Sequence, residues 1–93
     1  MVIGSLILQM YLPQAHSLKE KRMIVKSLKE KLRNKFNVSV AEVDNHDNWQ
    51  SATVAVVSVS LDGKYMDKTL QQIVNFLDEN FPDLHIDITK EII

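Results

Sequence analysis

The stretch Ser51-Ala52-Thr53-Val54-Ala55-Val56-Val57-Ser58-Val59-Ser60-Leu61-Asp62-Gly63 decides the fold. Residues 51–61 are rich in valine and free of proline, which predicts a strand, and Asp62-Gly63 is turn chemistry. Directly beyond, Met66, Leu70, Ile73, Val74, Leu77 and Phe81 recur at helical spacing. They predict a helix to about Asn80, stopped by Pro82. The apolar period thus changes from 2 to 3.6 across one turn, as it does where a strand feeds a helix. Within the strand, Val57, Val59 and Leu61 read as core-facing, and Ser58 and Ser60 as outward.

Working outward, Met1 to Leu12 reads as another strand, with Leu6, Leu8 and Met10 on one face and Ile3, Ile7 and Tyr11 on the other. Both faces are apolar, as in a central strand, and Pro13 ends it. Ser17-Leu18-Lys19-Glu20 matches the S-x-x-E capping box. The stripe Leu18, Val25, Leu28, Leu32, Phe36 then predicts a helix from about Leu18 to about Phe36, with Asn37 as a left-handed stop. Val38 to Asp44 alternates as a strand, Asn45-His46-Asp47-Asn48 is a turn, and Leu84 to Glu91 alternates as a last strand.

The order is βαββαβ over 93 residues. The expected fold class is α+β: one ferredoxin-like domain over residues 1–93, a four-stranded antiparallel sheet with two helices on one face. Right-handed crossovers place the first and third strands at the centre. The helices cover one face only. Ile3, Ile7, Tyr11, Val54 and Val56 are expected on the bare face, a patch apolar enough to predict a homo-oligomer formed through it.

Composition narrows the function classes. Apolar residues make up 45% and charged residues 25%, an ordinary globular balance. Cysteine is absent, which excludes disulfides, thiolate metal sites and thiol catalysis. No apolar run is long enough to span a membrane, and the N-terminus lacks the basic start of a signal peptide, so a cytoplasmic protein is expected. The net charge of −1 conceals an asymmetry: residues 17–36 carry +6 and the rest −7. Phosphates respond to the local field, so a near-neutral total leaves nucleic-acid binding open.

The leading candidate site is the first helix. Lys19, Arg22, Lys26, Lys29 and Arg33 are spaced +3, +4, +3, +4 and fall on one flank, spanning about 21 Å. That is the geometry of a phosphate-backbone contact; the plain alternative is a solvated face, or one paired with acids of a neighbouring subunit. At His16-Ser17, free helix amides attract anions, but Glu20 of the capping box already occupies that field. Asp44, His46 and Asp47 are hard donors of metal-binding type without an evident fourth ligand, so no metal or other cofactor is assigned. Trp49 reads as a hairpin anchor or an oligomer contact.

Enzyme classes of this topology lack their residues. Acylphosphatases need a glycine-rich anion loop with an arginine after the first strand, where this chain has Leu12-Pro13-Gln14-Ala15-His16-Ser17. RNA-recognition domains stack bases on third-strand aromatics, and Ser51 to Leu61 has none. No catalytic constellation is discernible, and a non-enzymatic protein is expected.

Three blocks carry a resemblance: His16-Ser17-Leu18-Lys19-Glu20-Lys21-Arg22; Arg33-Asn34-Lys35-Phe36-Asn37-Val38-Ser39-Val40-Ala41-Glu42-Val43-Asp44; and Trp49-Gln50-Ser51-Ala52-Thr53. Taken in order, they resemble the YlxP-like family of small bacterial proteins of unknown function. The resemblance implies a ferredoxin-like fold in a cytoplasmic bacterial protein. Family genes often neighbour those for transcription elongation, translation initiation and ribosome maturation factors, which implies RNA or ribosomal particles as partners. It brings no catalytic or binding residues with it. The expected function is therefore an RNA- or ribosome-associated accessory protein. The alternative is a small-molecule-sensing or structural homo-oligomer, like amino-acid-binding regulatory domains of this topology. Those bind near the first strand-to-helix loop, where Pro13-Gln14-Ala15 supplies no glycine.

Overall fold

A computed structural model describes residues 1–93. The elements are β1 (Val2–Tyr11), α1 (Leu18–Lys35), β2 (Ser39–Asp44), β3 (Ser51–Ser60), α2 (Gly63–Asn80) and β4 (His85–Ile92). The strands form one antiparallel sheet in the order β2-β3-β1-β4, which places the two most apolar strands at the centre. This is the expected α+β ferredoxin-like arrangement. Sixteen buried apolar residues make one core between the helices and the inner sheet face.

The two helices bury the same pattern. In α1 the buried positions are Lys21, Val25, Leu28 and Leu32; in α2 they are Met66, Leu70, Ile73 and Leu77. Both sets step +4, +3, +4, the stripe that keeps one face against a sheet. Each helix starts on a side-chain cap. Ser17 Oγ accepts from Glu20 N–H at 3.1 Å, and Asp62 Oδ1 accepts from Tyr65 N–H at 2.7 Å. The Glu20 carboxylate reaches back as a capping box requires, but to His16 N–H at 2.7 Å, one residue before the cap.

The faces of β3 are the reverse of the sequence reading. Ala52, Val54, Val56 and Ser58 are buried, whereas Val57 and Val59 face outward and Leu61 is exposed beyond the strand. The register explains it. Leu6 lies opposite Val56 and Leu8 opposite Val54, and directly opposed residues share a face. Leu6 and Leu8 are wholly buried, so Val54 and Val56 are buried with them. Ser58 sits opposite Gly4 and its hydroxyl donates to the Asn37 carbonyl at 3.3 Å. This pair of small residues admits α2. A Cβ on Gly4 would overlap Met66 Sδ and lie 2.7 Å from its Cγ.

Asn37 is not a left-handed stop. Phe36 ends α1 in extended conformation, and the single non-glycine residue with positive φ is Asn45, at 63°. Asparagine tolerates that region better than most residues. It follows a bulge: Glu42 pairs with Val54 but Asp44 with Thr53, so Val43 is the extra residue of β2.

On the outer face, residues line up in cross-strand rows. Val59, Ile3 and Ile93 form one end; then come Ser39–Val57–Ser5–Glu91, Ala41–Ala55–Ile7–Thr89, Asp44–Thr53–Gln9–Asp87 and Ser51–Tyr11–His85. The expected bare-face residues Ile3, Ile7 and Tyr11 are here, with Val57 and Val59 in place of Val54 and Val56. The face is apolar at the Ile3 end. At the Tyr11 end it is polar and internally bonded: Asn45 Nδ2 donates to Thr53 Oγ1 at 2.9 Å, and Thr53 Oγ1 donates to Gln9 Oε1 at 2.6 Å.

Candidate nucleic-acid interface on the first helix

The eight cations of residues 17–36 separate into three groups. Lys21 is the first. It is fully buried, at the same stripe position that Met66 holds in α2. Its Nζ donates to the carbonyls of Asn45 at 2.6 Å and His46 at 3.3 Å, and lies 2.6 Å from Glu42 Oε2. Glu42 Oε2 receives no well-directed hydrogen bond, so the ammonium charge at that short distance is its compensation. Glu42 is on the helix-facing side of β2, opposite Val54. One ammonium therefore ties α1, β2 and the β2–β3 turn together.

Lys31 and Lys35 are the second group. Lys31 Nζ lies over the Phe81 ring, 5.1 Å from its centroid, and Lys35 Nζ is 6.0 Å from that of Phe76. Phe76 in turn meets Phe36 edge-on at 5.6 Å. These lysines shelter the aromatic seam between the helices.

The third group is the flank predicted from spacing: Lys19, Arg22, Lys26, Lys29 and Arg33. None of the five is within ion-pair distance of a carboxylate, since the chain's ion pairs involve Lys21, His85 and Lys90. Arg22, Lys26, Lys29 and Arg33 line one shallow depression of about 390 Å³, together with Val25, Glu30 and Glu42. Two carboxylates therefore border a strip that spacing alone reads as uninterrupted. Arg33 is also partly committed: its Nη2 donates to the Val40 carbonyl at 2.6 Å, fastening the end of α1 to the edge strand. Four cations remain without a protein partner.

The other candidates resolve locally. At the start of α1, Glu20 and Ser17 serve each other's backbone region, so the helix amides nearest His16 face protein oxygens. In the hairpin, Asp44, His46 and Asp47 do not converge as a group of metal donors. The Lys21 ammonium takes two of the turn's carbonyls, and His46 Nε2 lies 3.0 Å from the Glu42 carbonyl. Trp49 lines an open hollow of about 670 Å³ with Asp44, Asn45, His46, Asp47 and Asn48. It stays 43% exposed, so it does not anchor the hairpin by burial. Sequence reasoning missed Lys21. The available signal was its place one turn before Val25 on the stripe, facing an inward Glu42.

A family model described as "Protein of unknown function (DUF503)" matches residues 3–90. The chain belongs to the DUF503 family. It is 38% identical over 76 residues to the "Uncharacterized protein YlxP" of Bacillus subtilis (strain 168), covering 82% of each chain. Membership in DUF503 agrees with the resemblance carried by the three blocks. The structure joins the blocks physically. Lys21 of the first is paired with Glu42 of the second, and Thr53 of the third bonds Asn45 in the turn between them. No helix of this DUF503 protein is long and apolar enough to cross a membrane.

Proposed function

We propose that this protein is a cytoplasmic, non-enzymatic accessory factor that contacts RNA or ribosomal particles through the exposed flank of α1. One observation carries the reading: Lys19, Arg22, Lys26 and Lys29 stand on one helix flank with no carboxylate within ion-pair distance. Like charges held together destabilise a helix slightly, and an external polyanion relieves that repulsion. Such a flank meets phosphates and not base edges, so binding is largely independent of sequence. The outer sheet face favours self-association. A homo-oligomer formed there leaves α1, in the opposite layer, free for RNA.

The test is a gel shift with structured and single-stranded RNA across a salt series. Four phosphate contacts give a salt slope of about 2.8–3.6, or roughly two decades of affinity between 50 and 200 mM. The variant Lys26→Glu/Lys29→Glu is preferred to one that changes Arg33, because Arg33 also holds Val40. It should abolish the shift and leave the fold and the oligomer intact. Loss of oligomer in that variant, with no RNA binding by the wild type, would instead mean that the flank pairs with acids of a neighbouring subunit. That result would favour the alternative of a structural or small-molecule-sensing homo-oligomer. Against ligand binding at the first strand-to-helix loop stand Leu12 and Ala15, which are buried there.

A further inference from the structure

We infer that a second copy of this chain covers the outer sheet face with its strands running in the same direction, β1 of each copy over β3 of the other. The inference rests on the outer-face association proposed above and specifies its geometry. Three properties of the face select both occupant and arrangement.

The first is charge. The outer rows hold three acids, Asp44 on edge strand β2 and Asp87 and Glu91 on edge strand β4, and no lysine or arginine. The face therefore repels phosphate backbones, and a protein surface is the fitting partner. The second is area. Strands of ten, six, ten and eight residues, about 4.8 Å apart, present roughly 550 Å² in projection, more when the side-chain relief is counted. A standard interface takes about 800 Å² per partner. Only the whole face of a second copy comes near that figure; the apolar end alone falls far short.

The third is the gradient along the strands, from Val59, Ile3 and Ile93 at one end to Ser51, Tyr11 and His85 at the other. Two identical sheets can pack face to face about a two-fold axis along the strands or across them. An axis across the strands sets the apolar end on the polar end. It also stacks β4 on β4, bringing Asp87 over Glu91 of the second copy. An axis along the strands lays apolar on apolar and polar on polar. Glu91 then sits over the uncharged Ser39 of β2 in the second copy, and Asp87 over Asp44 at the polar end. Each axis thus brings two acids together, and the apolar gradient, not charge, separates the arrangements. Aligned packing at about −30° accommodates the twist of both sheets.

Because the chain contains no cysteine, single introduced thiols read the arrangement directly. Rows 59 and 51 lie about 26 Å apart along β3, while stacked sheets are about 10 Å apart. Val59→Cys and Ser51→Cys are treated with a bis-maleimide of about 10 Å reach at a concentration where wild type sediments as a dimer. Each variant alone should give a covalent dimer, and Val57→Lys should sediment as a monomer. A wild type that stays monomeric at several hundred micromolar overturns the outer-face association and this arrangement with it. A dimer that Val57→Lys leaves intact places the interface elsewhere and has the same consequence. A Val57→Lys-sensitive dimer that cross-links only when the two cysteine variants are mixed keeps the association but overturns the arrangement, because the strands then run in opposite directions. A sensitive dimer that cross-links in neither case also rejects the arrangement.

Discussion

The two helices occupy their stripes at identical spacing, yet they do different things with it. α2 fills all four positions with apolar side chains, and its place against β1 and β3 depends on the missing side chain at Gly4. α1 fills three and puts an ammonium at the first, where it gathers two turn carbonyls and a carboxylate. One helix is held by packing alone; the other also holds the hairpin. The difference follows from position. α1 covers edge strand β2, which turns Glu42 inward beside a polar turn, so a purely apolar stripe there would leave buried polar groups without partners.

If the shared spacing means equal packing, the fourth positions are a matched pair. Leu32→Ala and Leu77→Ala should each cost about 2–5 kcal/mol in urea unfolding, the largest effects expected here. A loss under about 0.5 kcal/mol at either would show that the helix faces are misjudged. The contrast between the helices is sharpened at their first positions. Lys21→Ala should cost about 3 kcal/mol, the low end for a broken buried pair because Glu42 keeps some contact with water. Lys21→Met with Glu42→Leu should recover part of that loss, since no charge is left alone. If the double variant is as unstable as Lys21→Ala, the two turn carbonyls, and not the ion pair, carry the interaction. The smallest effect tests where the helices are alike: Ser17→Ala and Asp62→Ala should each cost about 1 kcal/mol, read as a shift in the same unfolding midpoint.

Element order, the central strands, the α2 stripe and the basic flank were all legible from spacing. The faces of β3 were not, because Val54 and Val56 lie on one parity and Val57 and Val59 on the other. A period of two with valines on both sides is silent, and only pairing with Leu6 and Leu8 decides it. Lys21 was illegible for a different reason. Lysine reads as solvent-facing until its acceptors are known, and these lie 21 to 25 positions away in the chain, in Glu42, Asn45 and His46. The same holds for Arg33, whose spacing marks the flank while its bond to Val40 depends on where β2 returns. The Asn37 expectation failed because Phe36 leaves the helix in extended geometry, which requires no left-handed residue.

The close seat of Met66 on Gly4 has a chemical consequence. Its sulfur, like that of Met10, is wholly buried, whereas Met1 and Met23 stand in solvent. Peroxide converts exposed thioethers to sulfoxides directly, but reaches buried ones only when the structure opens. The four methionines thus form two classes of oxidation site. The buried pair records, as covalent mass, how often α2 lifts from the sheet.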